Sequence, residues 1–178
     1  MPTDLYSFTD KAGAYSISVN GKKINAKQYD GYATISRTWK AGDVVEISLP
    51  MDVRRIKAND NVEDDRGKLA IERGPIMFCL EGKDQVDSIV FNKFIPDGTS
   101  MEATFDADLL NGVVVLTGHA KEIGKDGSVK EVPFKAIPYS TWNNRGADQM
   151  AVWIPEAAEY AHPTPEPTIA SKARTLMI

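Results

Sequence analysis

The fold is decided by residues 31–60, GYATISRTWKAGDVVEISLPMDVRRIKAND, and by residues 66–82, RGKLAIERGPIMFCLEG. Apolar and polar residues alternate in both stretches, which is the period of a half-buried β-strand. The pattern predicts strands at 32–39, 44–53, 69–71 and 76–80, separated by turn-rich residues. Pro50 marks a sheet edge, a bulge or a break within the second strand. The Gly74-Pro75 pair predicts a bend or bulge between two strand halves.

The rest of the chain follows the same pattern. Asn20-Gly21 lies between two strand-like runs, Tyr15–Val19 and Lys22–Ala26, and predicts a hairpin because both turn residues tolerate positive φ. Segments 84–88 and 101–110 are the two places where a short helix could form, although neither has a convincing 3.6-residue period. Further strands are predicted at Ser88–Ile95, Val113–Gly118, Val132–Ile137 and Met150–Ile154. The sequence therefore predicts an all-β, antiparallel β-sandwich or jelly-roll-like fold with little helix.

The domain organisation changes near the C-terminus. Ala157–Thr168 contains three prolines and little hydrophobic pattern, which is typical of an extended linker. We predict one β-sandwich domain over residues 1–155, followed by a proline-rich linker or strap over residues 156–178.

Composition excludes several classes of function. The chain has 178 residues, a net charge of −4 and no cluster of lysine and arginine, which argues against nucleic acid as a partner. Cys79 is the single cysteine, so no internal disulfide and no cysteine-rich zinc site can form. No apolar run is long enough to span a bilayer, and the N-terminus does not resemble a signal peptide. We expect no cofactor. If the chain is a piece of a longer protein, an upstream signal would place it in the periplasm or outside the cell.

Cys79, Glu72 and Glu81 are candidates for catalysis that have simpler interpretations. Sequence shows no cation near Cys79 beyond Arg73, so a buried and inert thiol is favoured over a reactive one. Cys79 is expected on the opposite face of its strand from Phe78 and Leu80. Glu72 and Glu81 could form a glycosidase pair, but salt-bridged or exposed glutamates are favoured.

Metal binding and histidine chemistry have weak support. Asp60, Glu63, Asp64 and Asp65 could offer oxygens to calcium, but their spacing differs from an EF-hand and a solvated acidic turn is favoured. His119 and His162 are distant in sequence and have no evident partner.

The best binding candidate is Trp142-Asn143-Asn144-Arg145, extended by Tyr139 or Trp153. An aromatic face stacks against a sugar ring, and amide and guanidinium groups hydrogen-bond its hydroxyls. The alternative is a turn between core strands, with Trp142 packed inside and Arg145 tying down carbonyls. The alternative is favoured, because large aromatic residues are mostly core residues.

Three blocks of sequence together resemble the C-terminal β region of bacterial β-L-arabinofuranosidase-type glycoside hydrolases, glycoside hydrolase family 127. The blocks are Val19–Lys22 with Gly31-Tyr32, Arg37-x-Trp39 and Gly42-Asp43-x-Val45; Leu49–Arg54 with Glu72–Pro75 and Cys79–Glu81; and Ile137–Tyr139 with Trp142–Gly146 and Met150–Pro155. The resemblance implies a large helical barrel followed by β-sandwich domains. Catalysis in such a protein is expected in the barrel, from a cysteine nucleophile, a zinc-binding cysteine cluster and glutamates that have no counterpart here.

The resemblance implies that this chain is the β part of such an enzyme and is not catalytic alone. Its expected partner is the catalytic helical barrel, and the whole protein would cleave arabinofuranosyl units from plant-type glycans. A carbohydrate-binding module and a structural or oligomerisation element are the two alternatives. We also expect the N-terminal edge of the sandwich to be truncated, which would leave an open edge that invites pairing with a second copy.

Overall fold

A computed structural model describes residues 4–162 as two compact units. The large unit joins residues 4–10 to residues 53–162, and the small unit is Lys11–Asp52. Most of the predicted strap, residues 163–178, lies outside the described residues. The division into a domain over 1–155 and a strap over 156–178 stays a prediction.

The described elements are almost entirely strands. They are β1 (Tyr6–Phe8), β2 (Ser16–Val19), β3 (Lys22–Ile24), β4 (Lys27–Tyr29), β5 (Tyr32–Thr34), β6 (Val45–Ser48), β7 (Val53–Ala58), β8 (Lys68–Arg73), β9 (Ile76–Glu81), β10 (Lys93–Phe94), β11 (Met101–Asp106), β12 (Val113–Ile123), β13 (Val129–Pro138), β14 (Met150–Ala151) and β15 (Ile154–Pro155). Four single-turn 3₁₀ helices lie at Glu63–Asp65, Gly82–Asp84, Tyr139–Thr141 and Ala158–Tyr160. The strand pairs are antiparallel throughout the described residues, and the all-β prediction is confirmed. Within residues 4–162, no helix has the length and apolarity needed to cross a membrane.

The large unit is one ten-stranded sheet with packed side chains on both faces. Seven strands run in the order β1-β7-β8-β9-β13-β12-β10, while β11, β14 and β15 pair with β12, β9 and β8. Successive side chains of a strand point to opposite faces. Phe78 and Leu80 of β9 therefore enter the main core, whereas Cys79 packs with Val115 and Ile137 in a second cluster. The alternation expected for Cys79 is confirmed.

The turn at Gly74-Pro75 reverses the chain completely. Arg73 pairs with Ile76, so β8 and β9 form a hairpin with a two-residue loop. The prediction of a bend between two strand halves is wrong. Gly74 has a φ of 59°. A positive φ at the first loop position suits the right-handed twist of a tight hairpin.

Two other segments also differ from the prediction. Met101–Asp106, which left a short helix open, is strand β11 and pairs along its full length with β12. Ser88–Ile95 is predicted as a strand, but only Lys93–Phe94 pairs. Asp87 explains the difference, because its carboxylate accepts hydrogen bonds from the Ile89 N–H, Asn92 and Lys93 and folds the segment into a polar turn.

The small unit contains a three-stranded sheet in the order β3-β2-β6 and a separate β4–β5 ribbon. Asn20 and Gly21 form the predicted hairpin turn, with φ values of 50° and 74°. The strand predicted over residues 32–39 ends at Thr34. The strand predicted over residues 44–53 is divided between β6 and β7, and Pro50 lies in the break.

Candidate functional site

The predicted binding residues lie on one loop between β13 and β14. The loop begins with the 3₁₀ turn Tyr139–Thr141, where the Trp142 N–H donates to the Tyr139 carbonyl at 3.1 Å. Asn143 and Gly146 have positive φ values of 65° and 92°. These two positions turn the chain back toward β9, so the loop presents Tyr139 and Trp142 side by side.

Tyr139 and Trp142 form a stacked aromatic pair. Their ring centroids lie 6.3 Å apart and their planes are 9° from parallel. Trp142 is partly buried against the cluster of Cys79 and Ile137. Tyr139 is 47% exposed, which leaves it the more accessible ring of the pair. The predicted packing of Trp142 is therefore confirmed only in part.

Arg145 fixes the loop to the end of strand β9. Its guanidinium contacts both Asp84 carboxylate oxygens, at 2.9 and 2.5 Å, and it also contacts Glu81. The hydrogen bond to Asp84, followed by that to Glu81, raises the pKa of Arg145, although burial opposes the rise. Glu81 is fully buried and also accepts the Asn143 N–H at 3.2 Å. One arginine thus balances two carboxylates from the adjacent strand end.

The expected role of Arg145 in tying down carbonyls is wrong. Lys83 performs that role, because its ammonium donates to the carbonyls of Arg145 and Gly146. A guanidinium matches a carboxylate at two points, whereas an ammonium acts as a point charge. Arg145 therefore contacts the carboxylates beneath the loop, and Lys83 contacts the backbone carbonyls of the loop itself.

Asn143 and Asn144 lie exposed beside the aromatic pair. The Asn144 amide donates to the Thr141 carbonyl at 3.0 Å, so it supports the loop as well as facing solvent. An exposed aromatic ring flanked by amides can stack on an apolar ring face and hydrogen-bond hydroxyl groups at its edge.

Trp153 does not extend this surface. It stacks on Tyr6 with ring centroids 5.6 Å apart and lines a separate pocket with Tyr160 and His162. The suggestion that it adds to the Trp142 site is therefore wrong, because the Trp153 ring stacks on Tyr6 of strand β1.

The candidate catalytic groups are all engaged in structural contacts. Cys79 is fully buried, and burial, followed by Glu81 and Asp84, raises the pKa of its thiol to about 12. Glu72 forms an ion pair with Arg54 at 2.7 Å, and Glu81 pairs with Arg145. A buried thiol and salt-bridged glutamates are the interpretations that the sequence favours, and the structure confirms these placements.

The acidic turn is largely solvated. Asp60, Glu63 and Asp64 are exposed, and Arg66 donates to the Asp60 carbonyl. No group of three or more histidine, cysteine, aspartate or glutamate side chains in the described part of the chain is arranged to hold a metal ion.

A groove beside the loop is not predicted by the sequence. It has a volume of about 460 Å³ and is lined by Asp84, Glu102, His119 and Lys135, among others. Glu102, Thr117 and Lys135 are cross-strand neighbours on β11, β12 and β13. No local motif marks the groove, because its lining comes from three strands and a turn that only the sheet register brings together.

Two family models match successive parts of the chain. The model described as beta-L-arabinofuranosidase, GH127 middle domain, matches residues 7–51. The model described as glycoside hydrolase family 127 C-terminal domain matches residues 53–155. Their common boundary falls beside Asp52, where the small unit ends.

Relatives and solved structures give the same result. A non-reducing end beta-L-arabinofuranosidase from Bifidobacterium longum subsp. longum is 31% identical in an alignment 159 residues long, and the alignment covers 79% of this chain and 24% of the relative. A solved GH127 beta-arabinofuranosidase is 38% identical with a TM-score of 0.84, covering 91% of this chain and 26% of that one. A GH127 beta-L-arabinofuranosidase from Geobacillus stearothermophilus T6 is 38% identical with a TM-score of 0.76, covering 82% and 25%. The chain thus spans about a quarter of the length of these relatives.

Proposed function

The chain belongs to glycoside hydrolase family 127, and we propose that it is the non-catalytic β region that supports the catalytic domain of a β-L-arabinofuranosidase-like enzyme. Two observations support the proposal. The chain matches the family's middle and C-terminal domain models, and it covers only about a quarter of the length of its relatives. The substrate of the whole protein would be a glycan with terminal arabinofuranosyl units. The partner of this chain is then the catalytic helical barrel of the same protein.

The state of the candidate catalytic groups supports a non-catalytic role. A cysteine nucleophile acts as the thiolate, and a thiol with a pKa of about 12 is protonated at neutral pH. A glycosidase acid or base must reach the substrate. Glu81 is fully buried beneath Arg145, and the Glu72 carboxylate is paired with Arg54.

Hydrolysis by the isolated chain is the test. We expect no release of p-nitrophenol from p-nitrophenyl β-L-arabinofuranoside above the rate without protein. Cys79→Ala, Glu72→Gln and Glu81→Gln serve as matched variants, and all three are expected to give the same baseline. Turnover by the wild type that disappears in one of these variants would contradict the non-catalytic assignment.

Carbohydrate binding is a second candidate function, supported by the exposed Tyr139 ring beside Trp142. A sugar would stack on Tyr139, while Trp142 holds that ring in place and Asn143 and Asn144 meet the hydroxyls. Arg145 would fix the loop, because its two terminal nitrogens are engaged with Asp84 and Glu81. Contact with sugar would therefore come from the aromatic and amide side chains.

Titration with arabinan oligosaccharides, followed by tryptophan fluorescence and calorimetry, tests this second function. We expect saturable binding that Tyr139→Ala abolishes. Tyr29→Ala is the matched control, because Tyr29 is also exposed but lies in the small unit. Unchanged signals at millimolar sugar, or equal loss in both variants, would contradict binding at this loop.

A further inference from the structure

The pocket beside Trp153 is a small aromatic cavity in the large unit. It has a volume of about 140 Å³. Phe91, Trp153 and Tyr160 line it with three partly buried aromatic rings. Leu80 and Val90 of the main core line it as well. A cavity of about 150 Å³ holds one benzene-sized ring, so this pocket has room for a single small apolar ring.

Two of the aromatic walls are held by contacts with other parts of the large unit. Trp153 stacks on Tyr6 of strand β1, with ring centroids 5.6 Å apart. Tyr160 lies against Gly67, where an added Cβ would overlap the tyrosine ring. Walls that are already fixed lose little conformational entropy when a group enters between them. The pocket is therefore formed before any occupant binds.

The chain leaves the described residues at the wall of this pocket. His162 lines the pocket, and its N–H donates to the Phe91 carbonyl at 2.7 Å. The next five residues, 163–167, are Pro-Thr-Pro-Glu-Pro, with a proline at every second position. A fully extended chain spans at most about 3.6 Å per residue, so the last of these prolines can be no farther than about 18 Å from His162. All three proline rings are thus tethered within reach of the pocket.

We infer that a proline ring of the segment 163–167 fills this aromatic pocket and fastens the segment to the large unit. Proline-rich segments dock in aromatic-lined grooves, because the fixed φ of proline leaves little conformational entropy to lose. The proline ring has no hydroxyl groups that need partners, and most of the lining side chains are hydrocarbon. Glu166 carries a charge opposite to that of Lys68, which lies on the pocket wall.

Two other occupants fit the pocket less well. A sugar ring carries several hydroxyl groups, and a lining that is mostly hydrocarbon has few polar groups to meet them. A segment from a second copy would bind only at the concentration of the protein. The tethered segment is present at an effective concentration in the millimolar range, so a small contact suffices. The segment lies beyond the family model, which ends at residue 155, so its docking is independent of the supporting role proposed above.

Acrylamide quenching of Trp153 in the full chain tests the inference. Trp39→Phe and Trp142→Phe make Trp153 the single tryptophan of a parent protein. Alanine at all three prolines of the segment removes the rings. Thr164→Ala with Thr168→Ala is the matched control, because it changes the same segment and keeps its rings. We expect the quenching constant of Trp153 to rise at least twofold in the proline variant and to stay at the parent value in the control.

A second measurement needs no substitution. Nuclear magnetic resonance of the unsubstituted chain should show nuclear Overhauser effects between proline ring protons of the segment and the ring protons of Trp153 or Phe91. These effects require the protons to lie in contact, so they report the docking directly even if the single-tryptophan protein folds poorly.

Three results would overturn the inference. The first is equal quenching of Trp153 in the parent and both variants, together with no such Overhauser effects. The second is quenching of the parent that rises on dilution, which would assign the pocket to the segment of a second copy. The third is protection of Trp153 in the proline variant by arabinan oligosaccharides and not by a peptide of residues 162–168, which would make the pocket a sugar site. Each of these results leaves the proposed supporting role intact.

Discussion

Arg145 and Asp84 form a two-point ion pair, with Nη1 2.9 Å from Oδ1 and Nη2 2.5 Å from Oδ2. The same guanidinium contacts Glu81, which is fully buried at the end of β9. Because two carboxylates depend on one cation, this pair fixes the aromatic loop to the large sheet. The conformation of the candidate sugar-binding loop therefore depends on this ion pair.

Removal of the Arg145 guanidinium is expected to destabilise the large unit strongly. Arg145→Met leaves Glu81 buried without its cation, which should lower the free energy of unfolding by about 3–5 kcal/mol. Urea denaturation measures the change. Arg66→Met is the control, because Arg66 is exposed, and it should cost less than about 1 kcal/mol. Equal effects of the two substitutions would contradict the role assigned to Arg145.

Cys79 is expected to make stability fall at alkaline pH. Burial raises the pKa of its thiol from an ordinary value of 9.0 to about 12 in the folded chain. Between these values the unfolded chain has lost a proton that the folded chain retains, so stability falls as pH rises. Relative to Cys79→Ala, the wild type should lose about 2 kcal/mol between pH 8 and pH 10.5. If the free energy of unfolding changed with pH in the same way in both proteins, burial would not raise the pKa of the Cys79 thiol.

Two lysines that contact Glu122 should differ in their contribution to stability. Lys93 is fully buried and lies 2.5 Å from Asp87 and 3.3 Å from Glu122, whereas Lys130 is 66% exposed and lies 3.0 Å from Glu122. Lys93→Met should cost about 3–5 kcal/mol in urea denaturation, because it removes a fully buried cation from Asp87 and leaves Glu122 with the exposed Lys130 alone. Lys130→Met should cost less than about 1 kcal/mol.

The Lys93 effect should also depend on pH. Burial opposes ionisation of Asp87, but hydrogen bonds from Lys93, the Ile89 N–H and Asn92 outweigh it and hold the pKa of Asp87 below its ordinary value of 3.8. Stability from this carboxylate is present above pH 3.8 and is lost as pH falls through the lowered pKa. The difference in the free energy of unfolding between the wild type and Lys93→Met should therefore become smaller as the pH falls through this acidic range. A constant difference down to about pH 2 would contradict the pairing.

Gly118 is expected to tolerate no side chain. A Cβ at this position would lie 2.7 Å from the Ser100 carbonyl oxygen and 2.8 Å from the Phe134 ring. Gly118→Ala should therefore lower the free energy of unfolding by about 1–3 kcal/mol. Lys121→Ala, an exposed position on the same strand, should change it by less than about 0.5 kcal/mol. An unchanged free energy of unfolding for Gly118→Ala in urea denaturation would show that Ser100 and Phe134 can move aside to accept the methyl group.

Local patterns predict the fold where the chain itself determines the structure. Asn20-Gly21 is a hairpin turn that the sequence identifies because Asn and Gly both tolerate positive φ, and the Asn20 side chain adds hydrogen bonds to Asp43 and Val44. Met101–Asp106 is a strand only through its pairing with β12, so its own sequence leaves a helix open. Tertiary context decides such segments, because β preference reflects packing against neighbouring strands.

The sequence predicts which residues form the candidate site, but it does not predict which residues they contact. The Trp142–Arg145 motif marks the loop correctly, but the partners of Arg145 are 61 and 64 residues earlier in the chain. No spacing between neighbouring residues indicates these contacts. The prediction that Arg145 hydrogen-bonds backbone carbonyls is wrong for this reason. The groove lined by Glu102, His119 and Lys135 escapes prediction because the sheet register assembles it from three strands.

In the proposed function, this chain stabilises a catalytic domain without performing hydrolysis. The most direct test is thermal unfolding of the catalytic region, produced with and without this chain as part of the same polypeptide. We expect the catalytic region to melt at a clearly lower temperature, and to lose arabinofuranosidase activity sooner on heating, when the chain is absent. Identical melting temperature and activity with and without the chain would contradict it.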